Sequence, residues 1–334
     1  MAELVEATST PTPPSTGSGC VRFWSRLISG NDSNERLSIR GNGNIAIIIL
    51  CMEMLLPTKL FRPAPRPEWV VRQRLLSAFE PWQTHKLILV SAPAGYGKTS
   101  LVTAWLATLD QQAIAISWFS IDAEESEPRQ FFQYLHAALQ PHLAENALLP
   151  QLLNSSQSAT PLVLAKGLVN DLTAVSTPLL LILDDYHHLD SPEIEGGIAF
   201  LLNQLPPQVT LLFTSRTDPG FPLSRLRARG ELLEIRAADL RFTSEETAVF
   251  LQQTIHLTLT PKQIDALETR TEGWIAGLQM AALSLRGRDD ATPFINAFTG
   301  SHRFVLDYLL EEVLHSQPEP VRHFLLQTAI LDRV

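Results

Sequence analysis

The sequence predicts an α/β core with a parallel β-sheet flanked by helices, followed by an all-helical region. Two observations lead to this prediction. Up to residue 240, short and almost continuously apolar runs alternate with segments of helical spacing, a pattern typical of parallel strands buried on both faces. After residue 240, strand-like runs stop and helix start signals follow. With 334 residues and 45% apolar content, the chain can fill the cores of both regions.

Five apolar runs bounded by polar or Gly-rich segments are the predicted strands. They are residues 87–90, 113–121, 179–183, 209–213 and 232–235. Apolar residues at helical spacing predict helices in the same region, because one face of each segment then turns to the sheet. These helices are residues 70–79, 100–106 and 131–139.

Capping signals predict the helices of the second region. Thr243 and Thr260 each stand three residues before a Glu or Gln, which is the spacing of a capping box. The predicted helices are residues 244–253, 261–269, 275–285, 303–314 and 321–328. We therefore divide the chain into an extension (1–55), an α/β core (56–240) and a helical lid subdomain (241–334).

The first 55 residues are predicted to be disordered or a mis-called extension. Residues 7–19 are rich in Thr, Ser, Pro and Gly and cannot bury enough apolar surface to offset the entropy of ordering. The apolar run at 45–50 falls well short of the roughly 20 residues that a membrane span needs. We expect the native start at Met52 or Met54, and no membrane association.

Charge and cysteine content narrow the function classes. A formal net charge of -9 argues against a surface built for nucleic-acid phosphates, which Lys and Arg neutralise. Proteins that bind single-stranded nucleic acid stack its bases on aromatic residues, but the arginine-rich stretch of this chain has none between its arginines. We therefore expect a solvated face or an ion-pair surface there. Cys20 and Cys51 can build neither a disulfide framework nor a cysteine zinc site, and a reducing cytoplasm fits best. The arginines of the basic stretch are Arg225, Arg227, Arg229, Arg236 and Arg241.

Residues 92–99, Ala-Pro-Ala-Gly-Tyr-Gly-Lys-Thr, have the pattern of a phosphate-binding loop (Walker A). The pattern stands between a predicted strand and a predicted helix, where backbone N–H groups can enclose a phosphate. An ordinary Gly-rich turn is the alternative, and this context disfavours it. Lys98 reaches the β- and γ-phosphates, and the Thr99 hydroxyl is a magnesium ligand. The loop thus predicts ATP with Mg²⁺, and its binding residues are Gly95, Tyr96, Gly97, Lys98, Thr99 and Ser100.

Two carboxylates follow the third predicted strand, at the edge where open α/β sheets bind ligands. Asp184 is the predicted metal ligand beside Thr99, and Asp185 is the candidate to polarise an attacking water. Taken alone, a solvated Asp pair explains this pattern at least as well. The phosphate-binding loop shifts the balance towards the functional interpretation.

Arg216 follows the fourth predicted strand and is a candidate catalytic residue. An Arg there can report a γ-phosphate through a charge-assisted hydrogen bond, although spacing alone fits a surface Arg nearly as well. His187 and His188 have no third ligand at metal spacing, so we assign them a structural role.

Taken together, these motifs resemble the MalT-like (large LuxR-type) regulators within the STAND class of P-loop ATPases. The resemblance implies a switch that holds ADP at rest, takes ATP when an inducer is bound, and then self-associates. It also implies that Val70 and Arg72 flank the adenine and that residues 274–279 close over the nucleotide. The matching segments are residues 58–60, 70–75, 91–99, 183–187, 214–219, 223–229, 238–242, 271–279 and 307–314.

The resemblance leaves alternatives open. Such regulators continue into a winged helix, a sensor of helical repeats and a helix-turn-helix, whereas this sequence stops where the winged helix is expected to begin. We therefore expect a truncated product, a split gene or a lone slow-ATPase switch, without specific DNA binding of its own. An ATP-driven remodelling ATPase is the second hypothesis, and a non-functional truncated fragment is a further alternative. A small-molecule kinase is the third, and no acceptor-specific feature supports it.

Overall fold

The computed structural model describes residues 55–66, 69–110, 112–155, 159–255, 259–286, 291–298, 303–314 and 317–329. All of these residues belong to one compact unit, Leu55–Val334. Apart from residue 55, the predicted extension lies outside the described residues, and so does the predicted start at Met52 or Met54.

A five-stranded parallel sheet forms the centre of the core, which confirms the predicted fold class. Its strand order is β2-β3-β4-β1-β5, so β1 lies between β4 and β5. In this register Ser91, at the end of β1, pairs with Ser215 of β4 and Arg236 of β5. The strands are β1 Leu87–Ser91, β2 Ala115–Ser120, β3 Leu179–Asp184, β4 Val209–Ser215 and β5 Leu232–Arg236.

Helices cover both faces of the sheet. Alternate residues of one strand enter different hydrophobic clusters: Leu87 and Leu89 pack on one face, and Ile88 and Val90 on the other. This two-sided burial explains why the strands are almost continuously apolar. The core helices are α1 Gln73–Ala78, α2 Lys98–Leu109, α3 Pro128–Leu139, α4 Leu148–Leu153, α5 Pro161–Thr173, α6 Pro192–Gln204, α7 Ser224–Ala228 and α8 Ala237–Leu240.

Of the remaining described helices, all but the last contribute residues to a third hydrophobic cluster, which starts at Phe242. Both predicted capping boxes are present: Glu246 N–H donates to Thr243 Oγ1 at 3.2 Å, and Thr260 N–H donates to Gln263 Oε1 at 2.8 Å. None of the described helices is both long and apolar enough for a bilayer crossing. The lid helices are α9 Ser244–Ile255, α10 Pro261–Thr271, α11 Ile275–Leu285, α12 Thr292–Ala297, α13 Arg303–Tyr308 and α14 Glu319–Thr328.

Several predicted helices differ from the structure at their ends, and two of these differences lie near the candidate site. The helix predicted at 70–79 begins only at Gln73, because Arg72 has φ −97° and ψ 78°, outside the helical region. The helix predicted at 303–314 ends as an α-helix at Tyr308 and continues as the π-helical segment Leu309–Leu314. Within that segment the Glu312 carbonyl accepts a hydrogen bond from the Arg216 side chain, so it has a partner outside the helix.

Candidate nucleotide-binding site

The predicted phosphate-binding loop joins β1 to α2 at the carboxyl edge of the sheet. Its first residue is fixed against β4, since Ala92 N–H donates to the Ser215 carbonyl at 3.1 Å. Gly95 and Gly97 both have φ +75°, a left-handed conformation that costs other residues about 1–2 kcal/mol. Helix α2 starts directly at Lys98, so its unpaired N-terminal N–H groups belong to the loop. This arrangement suits the binding of a phosphate.

Lys98 is buried, with 7% of its surface exposed, and its ammonium group bonds to the loop itself. Nζ donates to the carbonyls of Ala92 at 2.9 Å and Pro93 at 3.1 Å. Burial lowers the pKa of Lys98, and the nearby charge of Asp185 opposes that shift. An incoming phosphate offers charged acceptors in place of neutral carbonyls, and charge-assisted hydrogen bonds are the stronger ones.

The two predicted metal-binding residues meet beside the loop. Thr99 Oγ1 donates to Asp184 Oδ1 at 2.9 Å, and Thr214 Oγ1 donates to the same oxygen at 2.6 Å. Burial of Asp184, together with the charge of Asp185, raises the pKa of its carboxyl to about 6. A buried carboxylate and a hydroxyl are hard oxygen ligands of the kind that Mg²⁺ prefers. The residues present therefore fit the predicted magnesium ion.

Asp185 directly follows β3 in a left-handed backbone conformation, with φ 57°. Its N–H donates to Thr214 Oγ1 at 2.9 Å, so one threonine contacts both carboxylate residues. His187 Nδ1 lies 3.8 Å from Asp185 Oδ1, and burial lowers the pKa of His187 to about 3. His187 is therefore neutral. Both of its buried ring nitrogens are without a hydrogen bond to any described residue.

A cavity of about 280 Å³ lies between the loop and the lid. Val70 and Arg72, which the resemblance places beside the adenine, both line it. Three residues of the 274–279 segment also do so, namely Ile275, Ala276 and Gln279. The wall includes the aromatic side chains of Trp69, Phe242 and Phe250. A mainly apolar wall with few polar groups is the usual setting for a bound base.

Arg72 also makes structural contacts that the sequence did not reveal. Its guanidinium group donates to Glu246 Oε2 at 3.1 Å and to the carbonyls of Leu240 at 2.8 Å and Arg241 at 2.9 Å. It also lies 4.3 Å from the centre of the Phe242 ring. Burial lowers the pKa of Arg72 to about 10, so the group stays cationic at neutral pH. Arg72 therefore connects the segment before α1 to the start of the lid.

The lid contacts the loop through two hydrogen bonds. Ala276 N–H donates to the Gly95 carbonyl at 3.1 Å, and Trp274 Nε1 donates to the Ala94 carbonyl at 3.1 Å. The approach is close enough that a Cβ on Gly95 would lie 2.6 Å from the Ala276 Cβ. The loop and the lid therefore cannot move independently while this contact holds.

Arg216 is not a free surface residue. It donates from Nη2 to Glu312 Oε2 at 2.8 Å and from Nη1 to the Glu312 carbonyl at 2.9 Å. The structure thus brings this candidate catalytic residue to the π-helical segment of the lid. Glu312 and Thr214 were not among the predicted site residues. A polar residue at the end of β4, the strand beside β1, was the available signal for Thr214.

The basic stretch is largely an ion-pair surface, one of the two interpretations given above. Arg227 donates to Glu234 at 2.7 and 2.9 Å, and Arg236 contacts both Glu234 and Asp218. Arg229 and Arg241 pair with Glu231 and Glu272 at 3.9 and 3.0 Å. Most of these arginines therefore already have carboxylate partners.

The chain is similar to several known proteins. Residues 70–213 match the AAA ATPase domain family. The HTH-type transcriptional regulator MalT of Cronobacter sakazakii is 35% identical over 286 residues, which cover 83% of this chain and 31% of that protein. The serine/threonine-protein kinase PknK of Mycobacterium tuberculosis is 31% identical over 281 residues, covering 83% of this chain and 25% of that protein. This chain thus spans about a third or less of the length of these relatives.

Among solved structures, the Aeropyrum pernix ORC1 protein in complex with DNA aligns with a TM-score of 0.47 and 15% identity. That alignment covers 83% of this chain and 78% of that chain.

Proposed function

We propose that this chain, a P-loop ATPase module homologous to part of the MalT regulators, works as an ATP-operated switch in transcription regulation. The observation that carries the proposal is the direct bonding between the lid and the phosphate-binding loop. Ala276 and Trp274 donate to carbonyls of the loop, so a phosphate that rearranges the loop also displaces the lid. A switch needs such a coupling between ligand and conformation.

Within this proposal each site residue has one task. Lys98 binds the terminal phosphates, Thr99 and Asp184 hold Mg²⁺, and Asp185 orients the attacking water. Gly95, Gly97 and Ser100, which line the cavity, form the rest of the nucleotide site together with Tyr96. Val70 and Arg72 flank the base, and Arg216 contacts the γ-phosphate. When bound, Mg²⁺ neutralises charge that builds up on the phosphates.

The switch cycle follows from the resemblance to STAND regulators. In it the resting state holds ADP, an inducer favours ATP, and the ATP state self-associates, while slow hydrolysis restores the resting state. The inducer is unknown, and the cytoplasm is the expected location. Sequence-specific DNA binding would then require a part of the relatives that this chain does not span.

A remodelling ATPase is the alternative, and turnover separates it from the switch. The switch is expected to hydrolyse ATP far below the typical enzyme rate of about 10 s⁻¹. It is also expected to change association state between ADP and ATP, which size-exclusion chromatography with light scattering detects. Asp185→Asn is expected to slow hydrolysis and to leave ATP binding intact. Rapid turnover without any nucleotide-dependent association would favour the remodelling ATPase.

A further inference from the structure

The pair between Arg216 and Glu312 joins the edge of the sheet to the end of the lid. Arg216 lies just after β4, and Glu312 lies in the π-helical segment Leu309–Leu314, 96 residues further along the chain. Side-chain exposure is 28% for Arg216 and 45% for Glu312, so solvent reaches the pair from one side. Because the carboxylate of Glu312 binds Arg216, it occupies a guanidinium group that a nucleotide phosphate would otherwise bind.

The phosphate-binding loop lies close to this pair. The charges of Arg216 and Glu312 affect the pKa of the Lys98 ammonium group, which therefore lies near the pair. Burial and the charge of Asp185 have larger effects on that pKa. Tyr308, one turn before Glu312, packs edge-on against Trp274 at 5.5 Å, and Trp274 bonds to the loop. A Cβ on Gly95 would lie 2.8 Å from the Tyr308 hydroxyl. The loop, Trp274, Tyr308 and the Arg216–Glu312 pair thus form one contiguous set of contacts.

Building on the proposed nucleotide binding, we propose that Glu312 sets the discrimination between ATP and ADP by competing with the γ-phosphate for Arg216. Glu312 occupies both terminal nitrogens of Arg216, Nη1 with its carbonyl and Nη2 with its carboxylate, so a phosphate that binds this edge of the guanidinium must displace it. ADP has no third phosphate and leaves the pair intact. ATP can bind Arg216 only by displacing the Glu312 carboxylate. Part of its binding free energy therefore offsets the release of the π-helical segment from the core.

Because of this competition, binding of the third phosphate changes the contacts of the lid. Release of Glu312 removes two hydrogen bonds that hold the π-helical segment to the core. A ligand shifts an equilibrium only as far as its affinities for the two states differ, and contact with Arg216 supplies such a difference. Glu312 is thus a positioning residue, since it acts on the nucleotide through Arg216.

The test compares affinities for Mg²⁺-ADP and a non-hydrolysable ATP analogue in the whole chain and its variants. Glu312→Gln is expected to increase the affinity for the analogue by about fivefold and to leave the affinity for ADP unchanged. A fivefold change is the size expected for the loss of a partly exposed ion pair. Glu311→Gln is the matched control, because Glu311 is an exposed neighbour that makes no contact with Arg216. In an Arg216→Ala background, Glu312→Gln is expected to have no effect on the affinity ratio.

The outcomes separate this proposal from the proposed function. Normal ADP affinity in Glu312→Gln shows that the variant is folded, and an analogue-to-ADP ratio at the wild-type value would then overturn the role of Glu312. A changed ratio that persists without Arg216 would overturn it as well. In contrast, Lys98→Ala with wild-type ADP affinity would contradict nucleotide binding at the loop itself.

Discussion

Replacing Gly95 with Ala is expected to force the lid away from the phosphate-binding loop. The new Cβ would lie 2.6 Å from the Ala276 Cβ and 2.8 Å from both Trp274 Nε1 and the Tyr308 hydroxyl. Non-bonded carbon atoms are at their optimal separation at about 3.5–4.0 Å, so these distances are overlaps. The backbone at Gly95, with φ +75°, adds a conformational cost.

Two contributions give the size of the effect. A left-handed backbone costs an Ala residue about 1–2 kcal/mol. Adding one carbon to a packed site costs about 1–3 kcal/mol when the neighbouring atoms cannot move away. Ala276 is such a neighbour, because its backbone N–H is bonded to the Gly95 carbonyl. The free energy of unfolding is therefore expected to fall by about 2–5 kcal/mol, or Tm by roughly 3–9 °C. Nucleotide affinity is expected to fall too, because Ile275, Ala276 and Gln279 line the cavity from the lid side.

Two other glycines separate these contributions. Gly230 has φ +64° with no atom within 4 Å of its Cβ position, so Gly230→Ala reports the backbone cost alone. Gly97 has the same φ as Gly95, but the nearest atom to its Cβ position is Ile275 Cγ2 at 3.6 Å, an ordinary contact. Urea and thermal unfolding of the three variants give the comparison. An equal loss of stability in Gly95→Ala and Gly230→Ala would refute the tight contact between lid and loop.

Three further predictions follow from the contacts described. Arg72→Met removes a buried partner of Glu246 and is expected to destabilise the chain by about 3 kcal/mol in urea unfolding, whereas Arg74→Met, on a half-exposed side chain, costs under about 1 kcal/mol. An equal loss would contradict the role of Arg72 as a core-to-lid connection. Because Asp184 has its pKa raised to about 6, protonation competes with Mg²⁺ below that pH. Protonation of Asp184 alone is then expected to weaken Mg²⁺ affinity in the presence of nucleotide by about fourfold between pH 7.5 and 5.5. The nucleotide's own phosphate titrates in the same range, so Asp184→Asn gives that background and is expected to lose about fourfold less than the wild type. A flat profile in the wild type would contradict this assignment. Finally, the chain alone is expected to bind DNA only non-specifically, with a Kd of about 10⁻⁴ to 10⁻⁶ M, because its arginines are largely paired. Sequence-selective binding in an anisotropy assay would refute this.

Much of the core could be predicted from sequence because each strand is an apolar run long enough to identify. The sheet and the boundaries of Ile275–Leu285 needed no tertiary information. Helices α4 to α6 were not predicted, although Thr160 and Ser191 cap the second and third of them. Apolar residues cover much of these helices, and so the one-sided stripe that marks a surface helix is weak.

The candidate site was only partly predictable, for a different reason. The loop, Asp184 and Asp185 are local motifs, and their residue types identify the chemistry. In contrast, the pairing of Arg216 with Glu312 spans 96 residues, and Trp274 reaches Ala94 across 180 residues. No spacing rule predicts such contacts, because they depend on how the lid packs on the core. The Arg72 network depends on the same packing.

Direct titration of the chain with ATP and ADP in the presence of Mg²⁺ is the most direct test of the central claim, nucleotide binding at the loop. Isothermal titration calorimetry is expected to show one site for each nucleotide in the wild type. Lys98→Ala is expected to weaken both by about 30-fold or more, since a buried ammonium otherwise bonds to charged phosphates. Lys262→Ala, at an exposed lid position, is expected to bind like the wild type. Unchanged affinity in Lys98→Ala, or no nucleotide binding by the wild type, would contradict the account.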